Sequence, residues 1–509
     1  MPKNYTLHIL YTVVVLLLIP IFGVVAEDVR LVMPFLPGEN LDPAFGYSGW
    51  YMSEAGIYET LFTYDKDMNL VPELAAGYEQ ASDTEWIIHL RKNITFHDGT
   101  PFNSEAVIYS INRVKDDSKN RWYDQYSFME SISAVDDYTI KIITKEPYAP
   151  TISVLADVRT ASMVSPSAAN LSIEPVGTGP FKFVSYDPDV KLSMKKNENY
   201  WNGPVKANGA VVNYISQPET RALMLEGDEV DVAQAIPAQW YETMQDKSSL
   251  KVVSKDIMRT YFLFVNTAKP PLDTVKVRQA INYAIDRDEL VEVALEGVAG
   301  TPAKCFWPSN YPWSANDELD GYSFNQEKAK ELLKDAGLTW NGNSWLYEGK
   351  TFELNIKTYT SRPANKPVAE LIAAQLENIG IKTTVETAET AAIKSDMSKG
   401  NYDLALYAYG VATNGDPDYF VSQQFLSNTT EAGYTRYSGL DDLILKGRTT
   451  MDNDERMEIY KKIQEQVLMD SPEIFLFYDR LLVGINDRVK GFEIYPSEIT
   501  VLTKDVYVA

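Results

Sequence analysis

The stretch from Leu61 to Val114, LFTYDKDMNLVPELAAGYEQASDTEWIIHLRKNITFHDGTPFNSEAVIYSINRV, constrains the fold more than any other part of the chain. It reads as sheet, tight turn and helix, in that order. From Glu85 to Phe96 the residues Trp86, Ile88, Leu90, Ile94 and Phe96 alternate with polar ones, the period of half-buried strands. Asp98-Gly99-Thr100-Pro101 is turn chemistry, because glycine reaches positive φ without steric cost and proline presets its own φ. Asn103 stands where a side-chain oxygen can cap a helix carrying Ala106, Val107, Ile111 and Val114.

At 509 residues and 45% apolar composition, the chain has length for about three domains and a large core. A net charge of −24 argues against nucleic acid as a partner, since a polyanion would be repelled. The 32 tyrosines and 9 tryptophans exceed what a core needs, and their polar tips suit interfaces and pocket walls. Lys3, an apolar run from Ile9 to Val25 and the small residues before Glu27 form a secretory pattern, with Ala26 suited to cleavage. Residues 1–26 are therefore expected to be a signal peptide or, uncleaved, an N-terminal anchor. The mature chain is expected to be extracytoplasmic. Cys305 is the sole cysteine, so no intrachain disulfide can form.

Beyond the opening stretch, Val29 to Phe35 reads as a strand and Ser53 to Leu61 as a helix. Val176-Gly177-Thr178-Gly179-Pro180-Phe181 is a turn rather than a phosphate cradle: it lacks a Gly-Lys-Ser/Thr ending, and Pro180 leads into a strand pattern. Tyr261 to Asn266 (YFLFVN) is an apolar strand, and Val275 to Leu295 has the spacing of one long helix. The Pro270-Pro271 pair between them is a candidate hinge. The region that follows alternates helix and strand. Glycines 337 and 380 stop the helices, and Phe352–Thr358, Lys382–Thr387 and Asp403–Tyr409 supply strands. The segment from Leu481 to Ala509 is expected to rejoin the first block.

Catalytic patterns are scarce. Apart from His8 in the leader, only His89 and His97 are available, and their strand and turn positions suit hydrogen-bonding roles. There is no Gly-x-Ser-x-Gly and no His-Glu-x-x-His, and two histidines with one cysteine make a zinc site improbable. No cofactor is implied. The strongest functional candidate is Tyr407 to Phe420, YAYGVATNGDPDYF, which leaves a buried strand and sets Asp416 and Asp418 among Tyr407, Tyr409 and Tyr419. Ligand sites of α/β domains lie beyond the carboxyl ends of strands, where a carboxylate can meet an ammonium and rings can cover an apolar group. Plain turn chemistry explains the same residues equally well.

Together, F-H-D-G-T-P-F-N-S-E-A-V (Phe96 to Val107), G-T-G-P-F with Glu198-Asn199-Tyr200-Trp201, Arg221–Val232, Tyr261–Leu295 and Tyr407–Phe420 resemble, in order, the solute-binding proteins of oligopeptide, dipeptide and nickel ABC importers. The resemblance implies an α/β, two-lobed periplasmic-binding-protein-like fold of type II with an inserted extra α/β subdomain. It implies lobe I from 27–70, 176–270 and 480–509, an inserted subdomain over 71–175, and lobe II over 271–479. The implied function is an extracytoplasmic receptor, expected to be a monomer, that closes on a short peptide or similar zwitterion and docks on a permease with ATPase subunits. Among dipeptide receptors, a loop like Asn414 to Asp418 holds the peptide amino terminus, which points to Asp416 or Asp418. Among nickel receptors, a Trp after a basic stretch lines the pocket, as Lys119-Asn120-Arg121-Trp122 would here. An arginine near a segment like Met163 to Ser167 is matched by Arg159, although Ser162 stands at the principal arginine's place. Tyr47, Trp50 and Tyr51 fall at pocket-wall positions. A nickel chelate is the alternative ligand, as the late histidine ligand is missing; a secreted hydrolase, or a sensory receptor on the same fold, are alternatives of other classes.

Overall fold

The computed structural model describes residues 27–509 apart from Leu36, Asp189 and Asn428. The expected leader over 1–26 lies outside the described residues. One eleven-stranded mixed sheet runs through both lobes. Its centre is a pair of long antiparallel strands, Leu250–Val265 and Glu473–Asn486. Leu250 to Asp256 pairs with Asn486 to Arg480, and Thr260 to Phe264 pairs with Tyr478 to Glu473, with a register shift between. At 16 and 14 residues these strands far exceed the ordinary five or six. Each spans two packing environments. In the first strand, the half from Tyr261 to Val265 is buried on both faces, whereas Leu250 to Asp256 alternates.

In lobe I the sheet continues through Val232–Gln234, Val29–Met33, Gly209–Tyr214, Lys191–Lys196 and Phe181–Asp187. Lobe II continues it through Leu404–Gly410, Glu353–Tyr359 and Lys382–Ala388, all three parallel. Helices Val275–Ala284, Gln326–Asp335 and Asn365–Asn378 cover one face of lobe II. Helices Thr390–Lys399, Pro417–Phe425, Asp441–Thr449 and Asn453–Asp470 cover the other. A separate four-stranded antiparallel sheet, with strands from Ala75 to Thr144, carries Trp86, Ile88 and Leu90 inward against the helix Ser104–Lys115. Asn103 caps that helix as its spacing predicts, its Oδ1 accepting from the Ala106 N–H at 3.0 Å.

Three expectations are corrected. The Pro270-Pro271 pair is not the junction between lobes: Thr260 to Val265 already pairs with Leu404 to Tyr409, and Leu272 is buried in the lobe II core. The crossing falls instead at Asp256 to Thr260 and at Tyr478 to Arg480. The helix expected from Val275 to Leu295 breaks at Ile285, whose backbone is extended, and Asp286 caps a second start by accepting from the Glu289 N–H. Apolar spacing continues through Leu290 and conceals that break. The helix expected over Ser53–Leu61 lies earlier, at Ser48–Glu54, because Gly56 adopts a left-handed conformation and turns the chain away.

The final segment returns to lobe I: Val501, Leu502, Val506 and Val508 join Val29, Leu31 and Phe181 in one core. The Gly177-Thr178-Gly179 turn is explained by close backbone approach. A Cβ on Gly177 would stand 2.1 Å from the Ile57 carbonyl oxygen, and one on Gly179 2.2 Å from that of Gly56. Neither carbonyl can retreat without moving the turn after Glu54. Gly179→Ala is therefore expected to cost about 3 kcal/mol, read as a lower urea midpoint; an unchanged midpoint would contradict this packing.

Candidate functional site

The loop after Leu404–Gly410 is fixed by two tyrosines, Tyr64 from the first segment of the chain and Tyr311 from lobe II. The Tyr64 hydroxyl donates to the Asn414 carbonyl at 2.5 Å, and Tyr311 donates to that of Gly415 at 2.8 Å. Gly415 has φ +64° and lies against the Tyr64 ring, where a Cβ would come within 1.8 Å. The loop ends with Asp416 capping Pro417–Phe425 by accepting from the Asp418 N–H at 2.9 Å. Both aspartates are buried and both already have cations. Asp416 receives Arg456 through Nη1 at 3.2 Å and Nη2 at 2.9 Å. Asp418 receives Arg448 Nε at 3.2 Å and the Ser422 hydroxyl at 2.8 Å.

The expectation that Asp416 or Asp418 meets a ligand amine is revised on this geometry. Breaking such a buried pair costs about 3–5 kcal/mol, a penalty that a ligand amine taking the place of either arginine would meet.

Other expected residues do come together. Trp122 is buried, its indole N–H donating to the Gly46 carbonyl at 2.8 Å. The Tyr47 ring meets it edge-on at 5.6 Å. The Arg159 guanidinium lies 4.6 Å from the Trp122 ring centroid and 5.1 Å from that of Tyr419, and donates to the Tyr419 hydroxyl at 2.9 Å. Arg159 is also held in a fork by Asp157. Burial works against its charge, but Asp157 and the Tyr419 hydroxyl outweigh that and keep it firmly protonated. Arg159 thus joins the Trp122 region to lobe II, with its charge balanced internally. Arg121, beside it, is exposed and stacked over Tyr47 at 5.0 Å and Trp122 at 4.8 Å, with no carboxylate partner among the described residues. Tyr409 stands across the cleft and donates to Glu431 at 2.9 Å.

Trp50 and Tyr51 belong to a second cluster nearer the strand crossing. Trp50 donates its indole N–H to Glu54 at 2.9 Å, and Tyr51 is packed in the field of Glu54 and Tyr47. Glu54 lines a partly open cavity with Phe35, Arg362, Asp479, Tyr495 and Glu498. Burial pushes the Glu54 carboxyl up to about 8; the Trp50 hydrogen bond opposes this, and Glu498 adds to it. Burial likewise pushes Asp479 up to about 6 against the pull of Arg362 and Arg259. Glu498 pairs with Arg259 at 3.0 Å.

Arg362 is the residue that sequence reasoning missed here. It follows the strand Glu353–Tyr359, lies 4.0 Å from Asp479 and 6.0 Å from the Phe35 ring centroid, and its guanidinium makes no hydrogen bond among the described residues. Only its place beyond a strand's carboxyl end could have marked it.

The histidines hold structural positions. His97 bonds through Nε2 to the Gly179 carbonyl at 2.9 Å, and burial pushes it down to about 4. His89 faces Glu79 at 3.2 Å on an exposed strand.

The family model for bacterial extracellular solute-binding proteins, family 5 middle region, matches residues 69–432. The chain is 29% identical over 460 residues to the glutathione-binding protein GsiB of Pectobacterium atrosepticum, covering 87% of each. It is 28% identical over 499 residues to the dipeptide-binding protein of Escherichia coli, covering 90% of each. The crystal structure of NikA from Brucella suis in complex with Fe(III)-EDTA shares the fold, with a TM-score of 0.86 at 23% identity over 95% of this chain and 100% of that one. The protein belongs to the family 5 extracellular solute-binding proteins, the substrate-binding receptors of ABC importers.

Glu54 gives the cleft a defined pH response. A carboxyl whose folded pKa is raised to about 8 holds a proton that the unfolded chain releases near 4.5. Its contribution to stability is therefore full below about 4.5, declines as pH rises, and is lost by about 8. Glu54→Gln, which keeps an acceptor for Trp50, should gain stability relative to the parent between pH 5 and pH 9. Denaturation at several pH values measures this, and a pH-independent difference would contradict it.

Proposed function

We propose that this receptor captures a short peptide or similar zwitterion between its lobes and delivers it, as an exported monomer, to a membrane permease driven by ATPase subunits. The observation that carries this reading is Arg362. Its side chain is only 21% exposed, faces the interlobe cavity and has unused donors in a fixed fork. A guanidinium in that position suits a carboxylate, which it can bind with two parallel hydrogen bonds. Burial works against its charge, but Tyr261, Tyr359 and Asp479 outweigh that and hold it protonated. Two relatives named for glutathione and for dipeptides bind molecules that carry a free carboxylate and a free amine. The role proposed for the chain is binding without turnover, and neither His97 nor His89 is placed as a base for a neighbouring nucleophile.

A metal chelate is the second reading, favoured by Arg121. Its guanidinium stacks on Tyr47 and Trp122 without a carboxylate and could receive a chelator's acid group. Among the described residues no group of three or more His, Cys, Asp or Glu side chains could hold a metal ion, so the chelator would have to supply the ligands.

Native mass spectrometry of the purified protein should show a bound peptide, and a metal complex would move the reading to the chelate. In calorimetry, Arg362→Gln should weaken trialanine binding at least tenfold, about 1.4 kcal/mol, without loss of thermal stability. Unchanged affinity would remove Arg362 from the site.

A further inference from the structure

Ionised carboxylates converging on the cleft are neutralised by arginine with one exception. Asp157 is held by Arg159, Asp416 by Arg456, Asp418 by Arg448 and Glu498 by Arg259, while Asp479 faces Arg362. Glu431 has no such partner among the described residues. It accepts one hydrogen bond, from the Tyr409 hydroxyl at 2.9 Å, and no lysine or arginine lies within ion-pair distance. Lys394, whose ammonium sits 5.9 Å from the Tyr407 ring centroid, forms no ion pair with Glu431.

The surroundings of Glu431 suit a small organic cation. The hydroxyls of Tyr407, Tyr409 and Tyr434 lie within its electrostatic reach, and the Tyr407 and Tyr409 rings meet at 6.2 Å between centroids. Tyrosine faces attract an ammonium through the ring quadrupole, more strongly once water is excluded. Tyr409 fixes one carboxylate oxygen and leaves the remaining lone pairs for a second donor. A continuous line of rings joins this carboxylate to Arg362. Tyr359, in the field of Arg362, meets Tyr407 at 4.6 Å between centroids, and Tyr407 meets Tyr409 at 6.2 Å. The line follows the carboxyl ends of two adjacent strands, Glu353–Tyr359 and Leu404–Gly410, with the Arg362 guanidinium, whose donors make no hydrogen bond among the described residues, at one end and the arginine-free Glu431 carboxylate at the other.

We propose that Glu431 is the acceptor for the ligand's ammonium group, and that the receptor selects for a free primary amine through this carboxylate and the tyrosines around it. The proposal rests on the zwitterion reading only for what occupies the Arg362 end. Glu431→Gln removes the charge and keeps the acceptor for Tyr409.

The test is calorimetric titration of parent and variant with trialanine, N-acetyl-trialanine and trialanine amide, with thermal unfolding confirming an intact fold. The parent should prefer trialanine over its N-acetyl form by at least tenfold. The variant should bind the two alike, yet still discriminate against the amide. A variant that keeps the parent's preference for the free amine overturns the role of Glu431 while leaving the peptide reading intact. If trialanine does not bind the parent, the peptide reading fails, and the ligand recovered by native mass spectrometry decides. A recovered ligand with an ammonium group and reduced occupancy in Glu431→Gln supports the proposal. A ligand without a cationic group, or one retained fully by the variant, overturns it.

Discussion

The antiparallel pairing of Leu250–Val265 with Glu473–Asn486 is the constraint on which the rest of the structure depends. No other strand pair in the described residues belongs to both lobes. Its lobe II half is apolar on both faces and locked between two helical layers, and its lobe I half pairs onward to Val232–Gln234. The register shift between Asp256 and Thr260 lies where the ladder passes from one packing environment to the other. Such irregularities bend and twist a strand locally. Ion pairs flank the crossing: Arg480 with Asp256 at 2.7 Å, and Arg259 with Glu498 at 3.0 Å. The geometry fits a hinge of a few residues between rigid bodies.

Charge is distributed in the cleft by the same logic. Removing an ion from water is costly unless a partner is supplied, and the chain supplies one for most of its buried carboxylates. Asp416 and Asp418 hold the start of one helix against arginines from the two that follow, so the Asn-Gly-Asp-Pro-Asp turn is a fastening for lobe II. Arg159 acts similarly between Asp157 and Tyr419. Arg362, paired only at 4.0 Å with Asp479 and making no hydrogen bond among the described residues, and Arg121 and Glu431, without an ion-pair partner among them, are where the protein still has donors and acceptors for something that arrives from outside.

Much of the fold was legible in local pattern. The alternation around Trp86, the cap at Asn103 and the glycines 177 and 179 all do in the structure what their chemistry predicts. The continuity of the long strands was hidden: Leu250–Val265 changes its burial pattern midway so that only its apolar half stands out, and polar Asp479-Arg480 interrupts the apolar run of Glu473–Asn486. Tyr47, Trp122, Arg159, Tyr409 and Tyr419 were identifiable as positions, and the structure packs Tyr47 on Trp122 and Arg159 between Trp122 and Tyr419. What those residues pair with was not identifiable. Arg448 and Arg456 come 30 and 40 residues after the aspartates they neutralise, on helices whose placement only the tertiary fold decides. A lone arginine such as Arg362, or a lone glutamate such as Glu431, carries no periodic or motif signal at all. Its significance comes from the donors or acceptors it still has unused once the groups around it are paired.

The most direct measurement is a crystal structure of the protein with trialanine or its co-purifying ligand bound. The ligand should lie between the lobes, with a carboxylate on the Arg362 fork and an ammonium on Glu431, while Asp416 and Asp418 keep their arginines. A ligand amine seated on Asp416 or Asp418, with Arg456 or Arg448 displaced, would contradict this account of the cleft.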